Sequence, residues 1–519
     1  MSIKHVRGIT SIELKSWWGQ NLWLPVMLVM LLAVGVRLYG LSVPYFWGDE
    51  AFSLRLSLLS LADIWSYAGR DVHPPLYYYG LHFWVAVFGD SETATRSLSV
   101  FFGVATVLAS MRLVSIVTNT RDAFLCGFFM ALLPIAVRYS QEARMYSLLW
   151  FLLITALIPL VRWVQQPTRK RHVVVYVLLM SMAMYTHYFA MLALLSHWAY
   201  LGALSLRRRS ECQYLTHPAW VIGNVALFAL YLPWMVILIK LIMNMKVFGS
   251  SGAFWWVSGV SFNSFPSIIW EFFILYKGRD VNVFVYYFVP FAVVLGTGYW
   301  VWCDRGIHKF SVLMTSYTFF PLLMAAVVSI VVPIWNVRYL GFSSIGVPII
   351  LAIALGQTRL YYRVAIVGLL TVLHGVGLLN VYSQRDELNY SRDKRDFPFK
   401  EVLEVVKESA ASGDRIIVEG AVWYYSVDFY NKTGVQALLH EVEWKEKPRV
   451  DGYGFLSLLN SANVYVFVDD IERLPLGTSR VWWISVPVMS DVSSFPVGWR
   501  ERYVQSVGLV KLRLFDVGS

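Results

Sequence analysis

Eleven apolar runs, each about the 17 to 25 residues that a helix needs to cross a bilayer, divide the first 382 residues of this chain. They lie near 22–40, 96–117, 123–138, 145–163, 173–189, 190–206, 219–241, 284–302, 311–333, 340–356 and 364–382. Charged residues make up only 15% of the sequence and hydrophobic ones 57%, where soluble domains carry roughly 25% charged residues. The fold expected is therefore mostly α: a polytopic helical membrane protein with about eleven transmembrane helices.

The basic residues fix an orientation. The formal charge of +11 does not point to nucleic acid, because Lys and Arg fall in short clusters between apolar runs, where they hold spans to the cytoplasmic face. Residues 1–21 carry Lys4, Arg7 and Lys15, and the first run ends in Arg37 and Tyr39 without a small-residue cleavage site, so it reads as a retained span with a cytoplasmic N-terminus. A twelfth stretch, HPPLYYYGLHFWVAVFG at 73–89, is ambiguous. If it stays out of the bilayer core, the loops then inside (1–21, 111–122, 162–172, 207–209, 303–309, 357–363) hold 16 Lys and Arg, against 8 in the longer loops outside (41–95, 138–144, 241–283, 332–340). If it crossed, TRKR at 168–171 and RRR at 207–209 would face outward, against the positive-inside rule. The segment is expected to lie in the outer interface as an amphipathic helix or re-entrant piece.

Eleven spans bring the C-terminus outside. Past the linker SQRDELNYSRDKRD the tail 383–519 becomes water-soluble, alternating a helix-like FKEVLEVVKESAASGD with strand-like RIIVEG, NVYVFVDD and RVWWISVPV, the pattern of a small extracytoplasmic α/β domain. The expected organisation is thus a membrane domain 1–382 and an α/β domain 383–519. Three cysteines, Cys126, Cys212 and Cys303, show no CxxC or metal-like spacing, which excludes a disulfide framework.

This topology gathers the unusual polar residues on the outer side. Asp49 and Glu50 follow span one, Asp71 and His73 precede the interfacial segment, and Gln141, Glu142, Arg144 and Tyr146 (SQEARMYSL) top spans three and four. His187 and Tyr188 (YTHYFA) join spans five and six, and Arg338 and Tyr339 (NVRYL) precede span ten. Ionisable groups at membrane depth are functional by default. Each also has a plainer reading: Asp49 as a helix N-cap, Arg138 and Glu142 as an i,i+4 pair, His73 as a turn residue before two prolines, His187 as a hydrogen-bonded loop histidine, Arg338-Tyr339 as a snorkelling and belt pair, and Tyr77, Tyr78 and Tyr79 as an aromatic belt.

A carboxylate with several cations at the outer leaflet, and no phosphate-cradling Gly loop, suits glycosyl transfer from a lipid-linked sugar phosphate. The acceptor hydroxyl needs one general base as it attacks the anomeric carbon. The phosphate leaving group needs cations to hold developing charge. A divalent metal is one way to supply that charge, and no other cofactor is implied. Glycoside hydrolysis instead needs two carboxyls facing each other across a bond, whereas adjacent residues such as Asp49 and Glu50 point apart; one is the expected base and the other its support. A transporter or flippase of lipid-linked glycans is the rival reading. It calls for two related halves with mid-bilayer ionisable residues, and no such halves are visible. A non-catalytic scaffold would leave the Asp49 pair no purpose beyond capping.

The acidic pair in the first outer loop, HPPLYY followed by FGDSETATR at 88–96, SQEARMYSL, THYFA and RYL together resemble the integral-membrane GT-C glycosyltransferases. The nearest branch is the bacterial relatives of protein O-mannosyltransferases, lipid A aminoarabinose transferases and lipopolysaccharide galacturonosyltransferases. The resemblance covers about residues 1–380. It implies that Asp49 is the essential first-loop acid, that the segment after His73 is a juxtamembrane helix, and that the donor is a polyprenyl-phosphate-linked sugar. The acceptor class it implies is lipid A or lipopolysaccharide, another envelope glycan, or protein, and the location a bacterial inner membrane. Where aminoarabinose transferases have Glu-Lys before the proline, this chain has Val72-His73, a departure from the metal site and lysine clamp that leaves His73 to take over the cationic part.

Overall fold

The structure, a computed structural model, describes residues 23–206, 213–250, 259–276, 281–386, 396–411, 413–441, 454–458, 465–467, 479–487 and 495–517. The basic N-terminal segment, RRR at 207–209, Cys212 and most of the charged linker lie outside these residues.

Every apolar run of the sequence lies on a helix. The helices long and apolar enough to cross a membrane are α5 (Glu92–Val117), α8 (Tyr146–Gln165), α11 (Pro218–Ser250, over its first 26 residues), α13 (Val283–Cys303), α14 (Phe310–Val328) and α17 (Leu360–Tyr382), together with the segment Val337–Gly356, in which α15 (Val337–Leu340) and α16 (Gly346–Gly356) flank a 3-10 turn. An eighth is the pair α6 (Thr120–Leu132) and α7 (Pro134–Ser140), bent by 59°. The remaining three runs form shorter helices, α1 (Trp23–Leu38), α9 (Arg171–Met184) and α10 (Ala190–Ser205), and a further short apolar helix is α12 (Ser264–Ile274); α1 and α10, at 16 residues each, span about 24 Å.

The α6/α7 bend has a specific cause. Pro134 cannot donate to the helix ladder, so carbonyls of the preceding turn lose their partners. Arg37 reaches across from α1 and donates to the Met130 and Ala131 carbonyls at 3.3 and 3.0 Å, and to Ser140 Oγ at 3.2 Å. Arg37 is buried. The bend turns Arg138, Ser140 and the following 141–145 connection toward the first outer loop.

That loop is itself helical, with α2 (Gly48–Ser57), α3 (Leu61–Ala68) and α4 (Leu76–Phe88). Ser60 caps α3 and Ser91 caps α5, each accepting from a backbone N–H at 3.2 Å. The ambiguous 73–89 stretch becomes the 13-residue α4, which is not among the helices long enough to cross. It buries Tyr77, Tyr78, Leu81 and Val85 and exposes Phe83, Val87 and Phe88, so two of the three tyrosines read as a belt are core residues.

Beyond α17 the chain builds a six-stranded mixed sheet in the order β3-β2-β1-β4-β6-β5. Its strands are β1 (Arg415–Glu419), β2 (Ala437–Glu441), β3 (Tyr465–Phe467), β4 (Arg480–Ser485), β5 (Arg500–Val507) and β6 (Val510–Asp516). The first four run parallel, and β6 is antiparallel to β4 and β5. Helices α18 (Phe399–Ser409) and α19 (Ala421–Tyr430) pack on it. The second of these rests on the first outer loop. Phe429 and Tyr425 meet Phe46 and Phe52 at ring distances of 4.4 and 5.4 Å, and the Tyr430 hydroxyl accepts from Phe46 N at 2.8 Å while donating to Glu92 at 2.7 Å.

Candidate active site

Helix α2 starts at Gly48, and its N-cap residue Trp47 makes no side-chain cap bond. Asp49 and Glu50 sit in the first turn, where the helix dipole favours negative charge. Being about 100° apart on the helix, they face different surroundings. Asp49 is not a cap. Its Oδ2 accepts from Arg338 Nη1 at 3.0 Å and lies 4.0 Å from Arg144 Nε, and its side chain keeps 13% exposure. Glu50 is wholly buried and bidentate with Arg96 of α5, at 2.8 and 2.7 Å, and accepts from Ala143 N at 2.9 Å. Arg96 in turn donates to the Leu41, Pro44 and Tyr45 carbonyls. Glu50 and Arg96 thus pin both ends of the first outer loop to the 141–145 connection.

Around Asp49 the structure assembles residues from four further segments. Arg144 donates to the Asp49 carbonyl at 3.2 Å and to Ser53 Oγ at 2.9 Å, and its Nη2 lies 3.3 Å from His73 Nδ1. Burial works against the Arg144 charge, but Asp49 and its neighbours outweigh it and hold the guanidinium firmly protonated. Arg338 stacks over the Trp47 ring at 5.1 Å, a favourable place for a partly desolvated cation. His73 Nδ1 is also 3.4 Å from Asp71 Oδ2, which accepts from the Tyr78 hydroxyl at 2.9 Å. His187 joins the cluster, its ring 5.5 Å from those of His73 and Tyr339 and 6.1 Å from that of Tyr146.

The residues singled out from the sequence divide into two groups. Asp49, His73, Arg144, Tyr146, His187, Arg338 and Tyr339 surround one small volume. Glu142 pairs with Arg138 at 2.7 Å, the i,i+4 alternative, and Arg138 also binds Asp386 at the start of the C-terminal linker. Gln141 donates to the Arg37 and Tyr39 carbonyls, tying the bend to the end of α1. Tyr188 turns away to accept from Trp234 at 3.3 Å. His73 fits poorly as a cation: burial and adjacent Arg144 lower its pKa against the opposing pull of Asp71. His187 is pushed further down by burial, His73 and Arg144, so both rings are neutral near pH 7.

Ser53, Tyr78 and Trp47 were not singled out as site residues. Ser53 lies one helical turn after Asp49, on the same face, which is the signal that could have found it. Among the described residues no group of three His, Cys, Asp or Glu could hold a metal ion; the candidate carboxylates face arginines instead.

Residues 72–237 match the family described as dolichyl-phosphate-mannose-protein mannosyltransferase, a segment that begins beside His73 and contains Arg96 and Arg144. No curated protein sequence matches the chain. Among solved structures it is similar to ArnT from Cupriavidus metallidurans in the apo state, with a TM-score of 0.61 at 12% identity over 95% of this chain and 99% of that one. The same protein bound to undecaprenyl phosphate gives 0.60 at 13% identity, over 94% and 97%. The archaeal oligosaccharyltransferase AglB from Archaeoglobus fulgidus, in complex with an inhibitory peptide and a dolichol-phosphate, gives 0.50 at 12% identity, over 90% and 70%. With the mannosyltransferase pattern at 72–237 and the ArnT architecture along nearly its whole length, this chain has the GT-C fold of integral-membrane glycosyltransferases.

Proposed function

We propose that the protein is a glycosyltransferase that moves a sugar from a polyprenyl-phosphate donor to an acceptor outside the cytoplasm, with Asp49 as general base. The acceptor class is an envelope glycolipid such as lipid A or lipopolysaccharide, another envelope glycan, or a protein. The observation that carries this reading is the placement of one partly exposed carboxylate, Asp49, between two guanidinium groups from separate segments, Arg144 and Arg338. The likeness to ArnT bound to undecaprenyl phosphate supports a lipid phosphate as the donor's leaving part.

The chemistry follows from charge. Asp49 takes the acceptor's hydroxyl proton as its oxygen bonds to the anomeric carbon. The bond from that carbon to the phosphate oxygen breaks, and its electron pair leaves with the phosphate. Arg144 and Arg338 are placed to hold the negative charge that develops there, with no proton needed on the leaving group. Tyr146, His187 and Tyr339 cluster beside them.

Binding of undecaprenyl phosphate to the purified full-length protein tests the cation assignment. Arg144→Ala and Arg338→Ala are each expected to weaken binding by about 10- to 100-fold, the range of a charge-assisted hydrogen bond worth roughly 1.5–3 kcal/mol. Wild-type affinity in both variants would remove these arginines from the donor site.

A further inference from the structure

We infer that His73, oriented by Asp71, is a second catalytic residue of this site, the group to which Asp49 passes the acceptor's proton. The inference rests on the transferase reading above.

Asp49 is well placed to begin proton transfer and badly placed to keep the proton. Arg338 at 3.0 Å and Arg144 at 4.0 Å from its Oδ2 lose their carboxylate partner while the proton stays there, and a second turnover needs Asp49 deprotonated again. His73 has the arrangement of a proton acceptor. Its Nδ1 faces Asp71 at 3.4 Å, and Asp71 is itself fixed by the Tyr78 hydroxyl at 2.9 Å. Its Nε2 makes no hydrogen bond among the described residues and is not one of the sealed, unpaired atoms of the interior. A carboxylate on one ring nitrogen of histidine selects the tautomer with the proton there and leaves the lone pair on the other.

Two neighbours compete for Nδ1. Arg144 Nη2, 3.3 Å away, can only donate, and so favours the tautomer with the proton on Nε2. Asp71 can only accept, and favours the reverse. A donor phosphate that draws the Arg144 guanidinium leaves Asp71 as the sole partner of Nδ1 and moves the lone pair to Nε2. Donor binding thereby prepares the base. The proton then travels from the acceptor hydroxyl to the Asp49 carboxylate, from Asp49 by way of a water molecule to His73 Nε2, and from the resulting imidazolium, paired with Asp71, to bulk water. No atom or electron is left over.

The charged and titratable groups facing His73 are Asp49 from α2, Asp71 and the Tyr78 hydroxyl from the loop before α4 and α4 itself, Arg144 from the 141–145 connection, and His187 from the α9–α10 connection. Burial and Arg144 lower the His73 pKa while Asp71 raises it, so the ring is neutral at pH 7 and free to accept. Asp71 acts through His73 and is a positioning residue.

The test is the pH dependence of kcat for the full-length protein in nanodiscs. The probes are a panel of undecaprenyl-phosphate-linked hexoses and pentoses, with Gram-negative envelope glycolipid, glycan and protein extracts as acceptors. The wild-type rate is expected to rise along a limb centred below the ordinary histidine value of about 6.5. His73→Gln should lose that limb and about 10²-fold or more in kcat, with the donor KM nearly unchanged. Asp71→Asn removes the charge that raises the His73 pKa, so its limb should move to lower pH and its kcat should fall. His73→Gln with wild-type kcat and an unchanged limb would overturn the inference. If that variant does not fold, an unmoved limb in Asp71→Asn would do the same. Absence of transfer by the wild type from every donor in the panel would overturn the transferase reading, and this inference with it.

Discussion

Asp49 and Glu50 are neighbours in sequence with opposite fates. Helical geometry turns one toward Arg144 and Arg338 and the other into the protein beneath, where Arg96 meets it with two hydrogen bonds. Sequence reasoning named the pair as one base and one support, and could not say how the support works because Arg96 lies 46 residues away. The same distance blindness hid Asp386, 248 residues from its partner Arg138, while the local pair of Arg138 with Glu142 was legible from its spacing. Breaking a buried ion pair leaves a charge without compensation, which costs roughly 3–5 kcal/mol. Glu50→Gln is therefore expected to lower the thermal unfolding midpoint strongly in detergent and to cut the yield of folded protein. An unchanged midpoint would show that the Glu50–Arg96 pair does not hold the loop.

At the scale of elements, the length of the apolar runs located a helix for each run but not its shape; seven helices, or eight with the bent pair, are long and apolar enough to cross a membrane among the described residues. The run 123–138 reads as one span, yet Pro134 divides it and Arg37 stabilises the break by taking up two carbonyls of the turn before the bend. A proline marks the place; only the distant arginine makes a buried bend affordable. In the C-terminal domain β1, β3 and β4 fall within the strand-like runs; the consecutive apolar residues 416–418 of β1 and 481–484 of β4 are buried on both faces of the sheet. Strand β5 escaped notice for the opposite reason: Arg500, Glu501 and Arg502 leave it without an apolar face, and it lies exposed at the sheet edge. Helix α19, AVWYYSVDFY, is rich in residues that favour strands, and is helical because one side packs on the sheet and another on Phe46 and Phe52. Local propensity gives way there to tertiary packing.

For the molecule as a whole, the gathering of polar residues from separate loops into one place was expected from charge bias, since the span count and the positive-inside rule assign those loops to one face. Which side chains converge was not, and Gln141, Glu142 and Tyr188 turn to structural partners instead. The orientation proposed, with the 162–172 loop inside and the sheet domain outside, has a direct check. In a background without the native cysteines, Thr168→Cys should react with an impermeant thiol reagent only from the cytoplasmic side, and Val497→Cys, at a fully exposed position of the sheet domain, only from the opposite side. Reaction of both from one side would refute the topology. The central claim, that Asp49 is the base of a glycosyl transfer, is tested most directly by sugar transfer from an undecaprenyl-phosphate donor by Asp49→Asn. Asparagine keeps the size of the side chain but cannot take the acceptor's proton. The expected result is a folded protein that still binds undecaprenyl phosphate and transfers about 10²- to 10⁴-fold more slowly than wild type; turnover at the wild-type rate would contradict it.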